Sequence, residues 1–106
     1  MDRKSIVEII ARFGTELQNR GIRPQRIVLY GSQARGTAHE GSDIDVVVIS
    51  PDFADKGFWE RINLMSDALY AVYAPIEAVA MTPEEWDSGT SMLVEFARHG
   101  EVLYVA

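Results

Sequence analysis

Residues 27–50 read IVLYGSQARGTAHEGSDIDVVVIS, and their order decides how the rest of the chain folds around them. Ile27 to Tyr30 is a short apolar run of strand-forming residues, Gly31-Ser32 breaks it with a turn, and a polar loop follows as far as Ser42. A second apolar run, Ile44 to Ile49, carries two aspartates at its head, Asp43 and Asp45. Side chains two apart on a strand share a face. Asp43 and Asp45 therefore project together, while Ile44, Val46 and Val48 point the other way, into a core.

Upstream of this stretch, Ile6, Ile9, Ile10, Phe13 and Leu17 recur at helical spacing with Glu8, Arg12 and Glu16 between them. They predict an amphipathic helix from about Arg3 to Arg20, stopped by Gly21. Downstream, after a loop around Pro51 to Gly57, Phe58, Ile62, Met65, Leu69 and Val72 predict a second core helix. Pro75 ends it and starts a strand, Ile76 to Met81. Thr82 with Glu85 three positions on forms a capping box, with Pro83 suited to the first helical position, so a short helix carrying Trp86 follows. Met92 to His99 reads as a last helix ended by Gly100, and Val102 to Val105 as a last strand. These elements define an α/β (α+β) domain with a small mixed sheet of about four strands flanked by helices. With no repeat, low-complexity tract or linker, residues 1–106 are expected to form one domain.

Composition narrows the function classes. The 106 residues are 47% hydrophobic and 25% charged, the balance of an ordinary globular chain. No apolar run approaches the roughly 18 residues that span a bilayer, and the start, MDRKSIVEII, lacks a signal-peptide core, so no membrane partner and a cytoplasmic location are expected. The absence of cysteine excludes disulfides and thiolate ligands, so a metal must be held by oxygen or imidazole. A net charge of −6 argues against broad nucleic-acid binding. Arg20, Arg23 and Arg26 are the nearest approach to a basic group, and they read as a solvated loop.

Two carboxylates on one face of a strand repel, and their pKa values rise unless they share a cation. Mg²⁺ is the natural cation, being hard, oxygen-seeking and usually completed by substrate phosphates. That points to a nucleotide. Gly31 permits close backbone approach, Ser32 offers a hydroxyl at the head of a turn whose free N–H groups suit terminal phosphates, and Arg35 can neutralise phosphate charge. Taken alone, Gly31-Ser32 is a plain turn with a helix cap. A capping aspartate, however, has no reason to recur two positions on and facing the same way.

Gly31-Ser32, ten residues, then Asp43-Ile44-Asp45 resembles the signature of the DNA polymerase beta-like nucleotidyltransferase superfamily. The surrounding GSQARG and SDIDVVV, with the terminal HGEVLY, resemble its minimal branch, the MNT-type proteins paired with a HEPN-domain protein as antitoxin and toxin. The resemblance implies two Mg²⁺ ions, on the order of 3.5 to 4 Å apart, activating an acceptor hydroxyl and stabilising the departing pyrophosphate. It implies metal ligation by Asp43 and Asp45, and nucleotide binding by Gly31, Ser32, Arg35 and Ser42. It also implies a third carboxylate on a neighbouring strand, for which PIEAVAM offers Glu77, to bind metal and help draw the acceptor proton. Glu77 stands where the superfamily often has Asp, and read without the family it is an exposed acid guarding a strand edge. Glu40, on the loop, is a weaker substitute.

The remaining polar and aromatic residues have simpler readings. His39 reads as an exposed loop histidine, with no second histidine at metal-binding spacing. His99, in a last helical turn, suits the helix dipole. Trp59, Trp86, Tyr70 and Tyr73 read as core or interface.

The leading functional expectation is transfer of a nucleoside monophosphate, AMP from ATP, onto a hydroxyl of a partner protein, as the antitoxin of a HEPN/MNT pair. The alternatives are an antitoxin that masks a HEPN ribonuclease by contact alone, and nucleotidyl transfer to a small molecule. Homo-oligomerisation is left open.

Overall fold

The computed structural model describes residues 2–38, 41–89 and 91–105. His39 and Glu40, expected on the loop before Asp43, lie outside the described residues. Helix α1 (Arg3–Asn19) starts where Asp2 accepts a hydrogen bond from Ser5 N at 2.7 Å, and Arg20 caps its end. Gly21 follows with φ +85°, a left-handed turn that a side chain would strain. The chain then forms β1 (Arg26–Tyr30), the helical turn α2 (Gly31–Arg35) and β2 (Ile44–Ile49). A 3-10 turn at Pro51–Phe53 leads to α3 (Phe58–Val72), β3 (Ile76–Met81), α4 (Pro83–Ser88), α5 (Met92–Arg98) and β4 (Glu101–Val105). None of the described helices is long and apolar enough to cross a membrane.

The four strands make one mixed sheet in the order β3-β2-β1-β4, with β1 antiparallel to both β2 and β4 and β2 parallel to β3. The parallel pair needs a crossover, which α3 supplies. On one face lie α1 and α3, and between them and the sheet Ile10, Phe13, Leu17, Ile44, Val46 and Val48 are fully buried. The other face is covered by α4 and α5, whose Trp86, Val94 and Ala97 close over Val28, Val47 and Ile49. The sheet is thus buried on both sides along most of β2, which explains the unbroken apolar run after Asp45.

The α4 start is the expected capping box: Thr82 Oγ1 accepts from Glu85 N at 3.1 Å, and Glu85 Oε1 accepts from Thr82 N at 2.8 Å. Arg61 ties this box to α3, donating to Glu85 Oε1 at 2.7 Å and to the carbonyl of Phe53 at 2.9 Å.

Several expectations need correction. The segment after Gly31 is not loop throughout, since five residues form α2 before the chain turns. Phe58 and Ile62 are not core, being 67% and 37% exposed; α3 buries Met65, Ala68 and Val72 instead, so its inward stripe begins about two turns later than the apolar spacing implied. Trp86 is buried as expected, but Trp59, Tyr70 and Tyr73 are exposed and belong to no core.

Candidate functional site

Strand register builds the site. Tyr30 on β1 faces Asp45 on β2, and Asp45 faces Glu77 on β3, so three side chains stand in a row across three strands at one end of the sheet. Asp45, Val47 and Ile49 share a face of β2. The short α4 and α5 cover the two apolar residues and stop before the carboxylate, which remains half-exposed. Asp43, directly ahead of β2, is exposed on the same side, and Glu77 is exposed on the edge strand.

The three carboxylates feel one another. Negative charge on Asp43, then a hydrogen bond with Asp45 and the charge of Asp45, push the Glu77 carboxyl above the usual carboxylate range. Tyr30, at the other end of the row, is raised above the usual phenol value by burial, with the charges of Asp45 and Glu77 adding to it.

Gly31 sits where β1 turns into α2, at φ +73°. A Cβ built there would collide with Asp45 Oδ2, so glycine is required both by the left-handed backbone and by the closeness of the carboxylate. The first N–H groups of a helical turn have no acceptor inside it, and those of α2 begin at this junction, beside Asp45. Ser32 and Arg35 follow on α2 and line, with Gly31 and Asp45, an open groove of about 510 Å³. Ser42, just ahead of Asp43, is half-buried and does not line the groove; its carbonyl accepts from Gln33 Nε2 at 3.4 Å, fastening α2 to the segment that carries the aspartates.

The sequence-derived residues therefore converge: Gly31 touches Asp45, Asp45 pairs with Glu77, and Asp43 acts on Glu77. Sequence reasoning missed the opposite wall of the groove, formed by Tyr30 and by Met92, Leu93 and Phe96 of α5. The available signal was the spacing of Met92 and Phe96, four apart and off the face that buries Val94 and Ala97. A groove of similar size, about 480 Å³, lies between α3, β3 and α4, but its charged residues are already paired, Arg61 with Glu85 and Lys56 with Asp55.

The donor set at the sheet end is all oxygen, and its mutual repulsion is the kind that a hard divalent cation relieves. Among the described residues no three acidic or imidazole side chains already stand in metal-holding geometry. The residue chemistry fits Mg²⁺.

The family model of the nucleotidyltransferase domain matches residues 9–97, from the core face of α1 through α5. The chain belongs to this family. The protein adenylyltransferase MntA of Shewanella oneidensis is 41% identical over 46 residues, which are 42% of this chain and 33% of that protein, so the match spans about a third of the relative. The crystal structure of a toxin-antitoxin with AMP-PNP includes a chain with this fold, at TM-score 0.63 and 24% identity over 94% of this chain and 73% of that one. A crystal structure assigned as a nucleotidyltransferase gives TM-score 0.58 at 26% identity, over 94% of this chain and 98% of that one. The expected mixed sheet flanked by helices is shared with these neighbours.

Proposed function

We propose that the chain transfers AMP from ATP onto a hydroxyl of a partner protein, acting as the antitoxin of a toxin-antitoxin pair whose toxin is a HEPN-domain protein. The observation that carries the proposal is the row of carboxylates with Gly31 pressed against Asp45, which supports reading the turn as a phosphate cradle next to a metal site. Family membership supports nucleotidyl transfer, and the likeness to a protein adenylyltransferase and to a toxin-antitoxin chain supports the acceptor class and the partner.

In this reading Asp43, Asp45 and Glu77 hold Mg²⁺, which when bound supplies Lewis-acid activation of the hydroxyl and stabilises the pyrophosphate leaving group. Gly31 and Ser32 bind the triphosphate through backbone N–H groups and the Ser32 hydroxyl, and Arg35 offsets phosphate charge. Ser42 keeps α2 and β2 in register. Glu77 helps draw the proton from the acceptor hydroxyl.

Intact-mass spectrometry of the co-purified partner after incubation with ATP and Mg²⁺ tests this, run beside the Asp43→Ala, Asp45→Ala double variant. Gain of AMP units with the unaltered chain alone is the expected result. A stable complex with no mass gain would sink the transferase reading.

A second reading, neutralisation by contact alone, draws on the exposed aromatic residues of α3 and its end: Trp59 at 73%, Tyr70 at 85% and Tyr73 at 91% exposure. If masking suffices, Asp43→Ala leaves partner neutralisation intact in cells carrying both proteins; if transfer is the function, the same change abolishes it.

A further inference from the structure

The wall of the groove opposite the carboxylates has no part in the phosphate and metal roles proposed above. Helix α5 spends Val94 and Ala97 on the sheet, yet exposes Met92 at 80% and Phe96 at 60%. These two are four residues apart, so they stand on one face of the helix, and they border the space that Ser32 and Asp45 border. The space continues past Tyr30 and Ala34 into a second hollow of about 380 Å³, again walled by Met92 and Phe96. Between the polar and apolar walls stands Arg35, its guanidinium carbon 6.0 Å from the centre of the Phe96 ring.

We infer that this wall is a nucleobase subsite, in which the base of the nucleoside triphosphate stacks on Phe96 and packs against the Met92 thioether. The inference rests on the nucleotidyltransferase reading of Gly31, Ser32 and Asp45, and it adds where the rest of the same molecule lies. A nucleotide is one ligand with an anionic end and a flat aromatic end, and the groove offers a wall for each within a volume usual for small-ligand sites. Arg35 stands between the two ends, its guanidinium carbon near the Phe96 ring and its charge available to phosphate. Exposed Met and Phe side chains together at the mouth of a groove also offer apolar surface that a ligand can cover.

Calorimetric titration of the intact chain with Mg-ATP and with Mg-tripolyphosphate, which has the phosphates but no base, tests the assignment. The unaltered chain is expected to bind ATP about tenfold more tightly than tripolyphosphate, the scale of one base stacked on one aromatic ring. Phe96→Ala should remove that difference while leaving tripolyphosphate binding unchanged, and Phe96→Trp should restore it. Met92→Ala should narrow it by a smaller factor and provides a second variant at an exposed position. An ATP affinity unaltered by Phe96→Ala overturns the subsite while the transferase reading stands. So does a rise confined to the KM of the acceptor protein, which would give the wall to the acceptor. Binding of neither ligand to the unaltered chain would overturn the subsite together with the reading beneath it.

Discussion

The two faces of β2 are built by the same six residues and finished differently. On the α1 and α3 side, helices of 17 and 15 residues seal Ile44, Val46 and Val48 completely. On the other side, helices of 6 and 7 residues cover Val47 and Ile49 and leave Asp45 at the rim. The strand supplies stability along its length, and the candidate chemistry occupies the place where the shorter cover ends. Neighbours in sequence can therefore belong to separate tasks: Ile44 to the fold and Asp45 to the site.

That separation is open to attack first at Asp45. Asp45→Ala is expected to lower nucleotidyl transfer by on the order of 10³-fold, the size of loss seen when a group stabilising a transition state is removed. Thermal stability should hold or rise slightly, because the change relieves repulsion on Glu77. Melting and transfer assays on the same preparation check it; a large drop in melting temperature would mean that Asp45 belongs to the fold as well.

Ile44→Ala tests the complementary half. Ile44 is fully buried, so its truncation should cost about 2 to 5 kcal/mol in a denaturant titration. Asp45 and its partners should stay in register, and the fraction that remains folded should keep its transfer rate. Gly31→Ala lies between the two tasks. The left-handed backbone should cost about 1 to 2 kcal/mol, and displacement of Asp45 by the new methyl group should lower transfer about 10²-fold.

Much of this division was legible in the chain. Period-two alternation placed Asp43 and Asp45 opposite Ile44, Val46 and Val48, and Pro and capping signals fixed the ends of α3, β3 and α4. What escaped was tertiary in origin. Phe58 and Ile62 have the spacing of a core stripe, but α3 buries residues only from Met65 onward, and no local pattern encodes where along a helix the packing begins. Likewise Met92 and Phe96 look like one side of an ordinary amphipathic helix until the sheet claims Val94 and Ala97 for the other side. Glu77 was proposed through family likeness; its standing beside Asp45 follows from the parallel register of β2 and β3, which no single-strand pattern can supply.

The smallest expected effect lies away from the carboxylate row, on the cover itself. Glu85 holds the start of α4 and receives Arg61 from α3, and the hydrogen bond from Arg61 is the largest cause of its lowered pKa. Glu85→Gln keeps an oxygen for the capping box and removes the charge, isolating the ion pair. Glu85 keeps about half of its side chain in solvent, although Arg61 is mostly covered, so the loss at neutral pH should stay at about 1 kcal/mol. A carboxyl whose folded pKa is depressed stabilises the fold above its unfolded value, and that contribution disappears as pH falls through the folded value. The difference between the unaltered chain and Glu85→Gln should therefore be full at pH 7, shrink below about pH 4.5 and vanish in stronger acid. Denaturant titrations of both proteins across that range read it directly. A difference that persisted unchanged into strong acid would assign the effect to capping geometry and leave the α3 to α4 link without an electrostatic part.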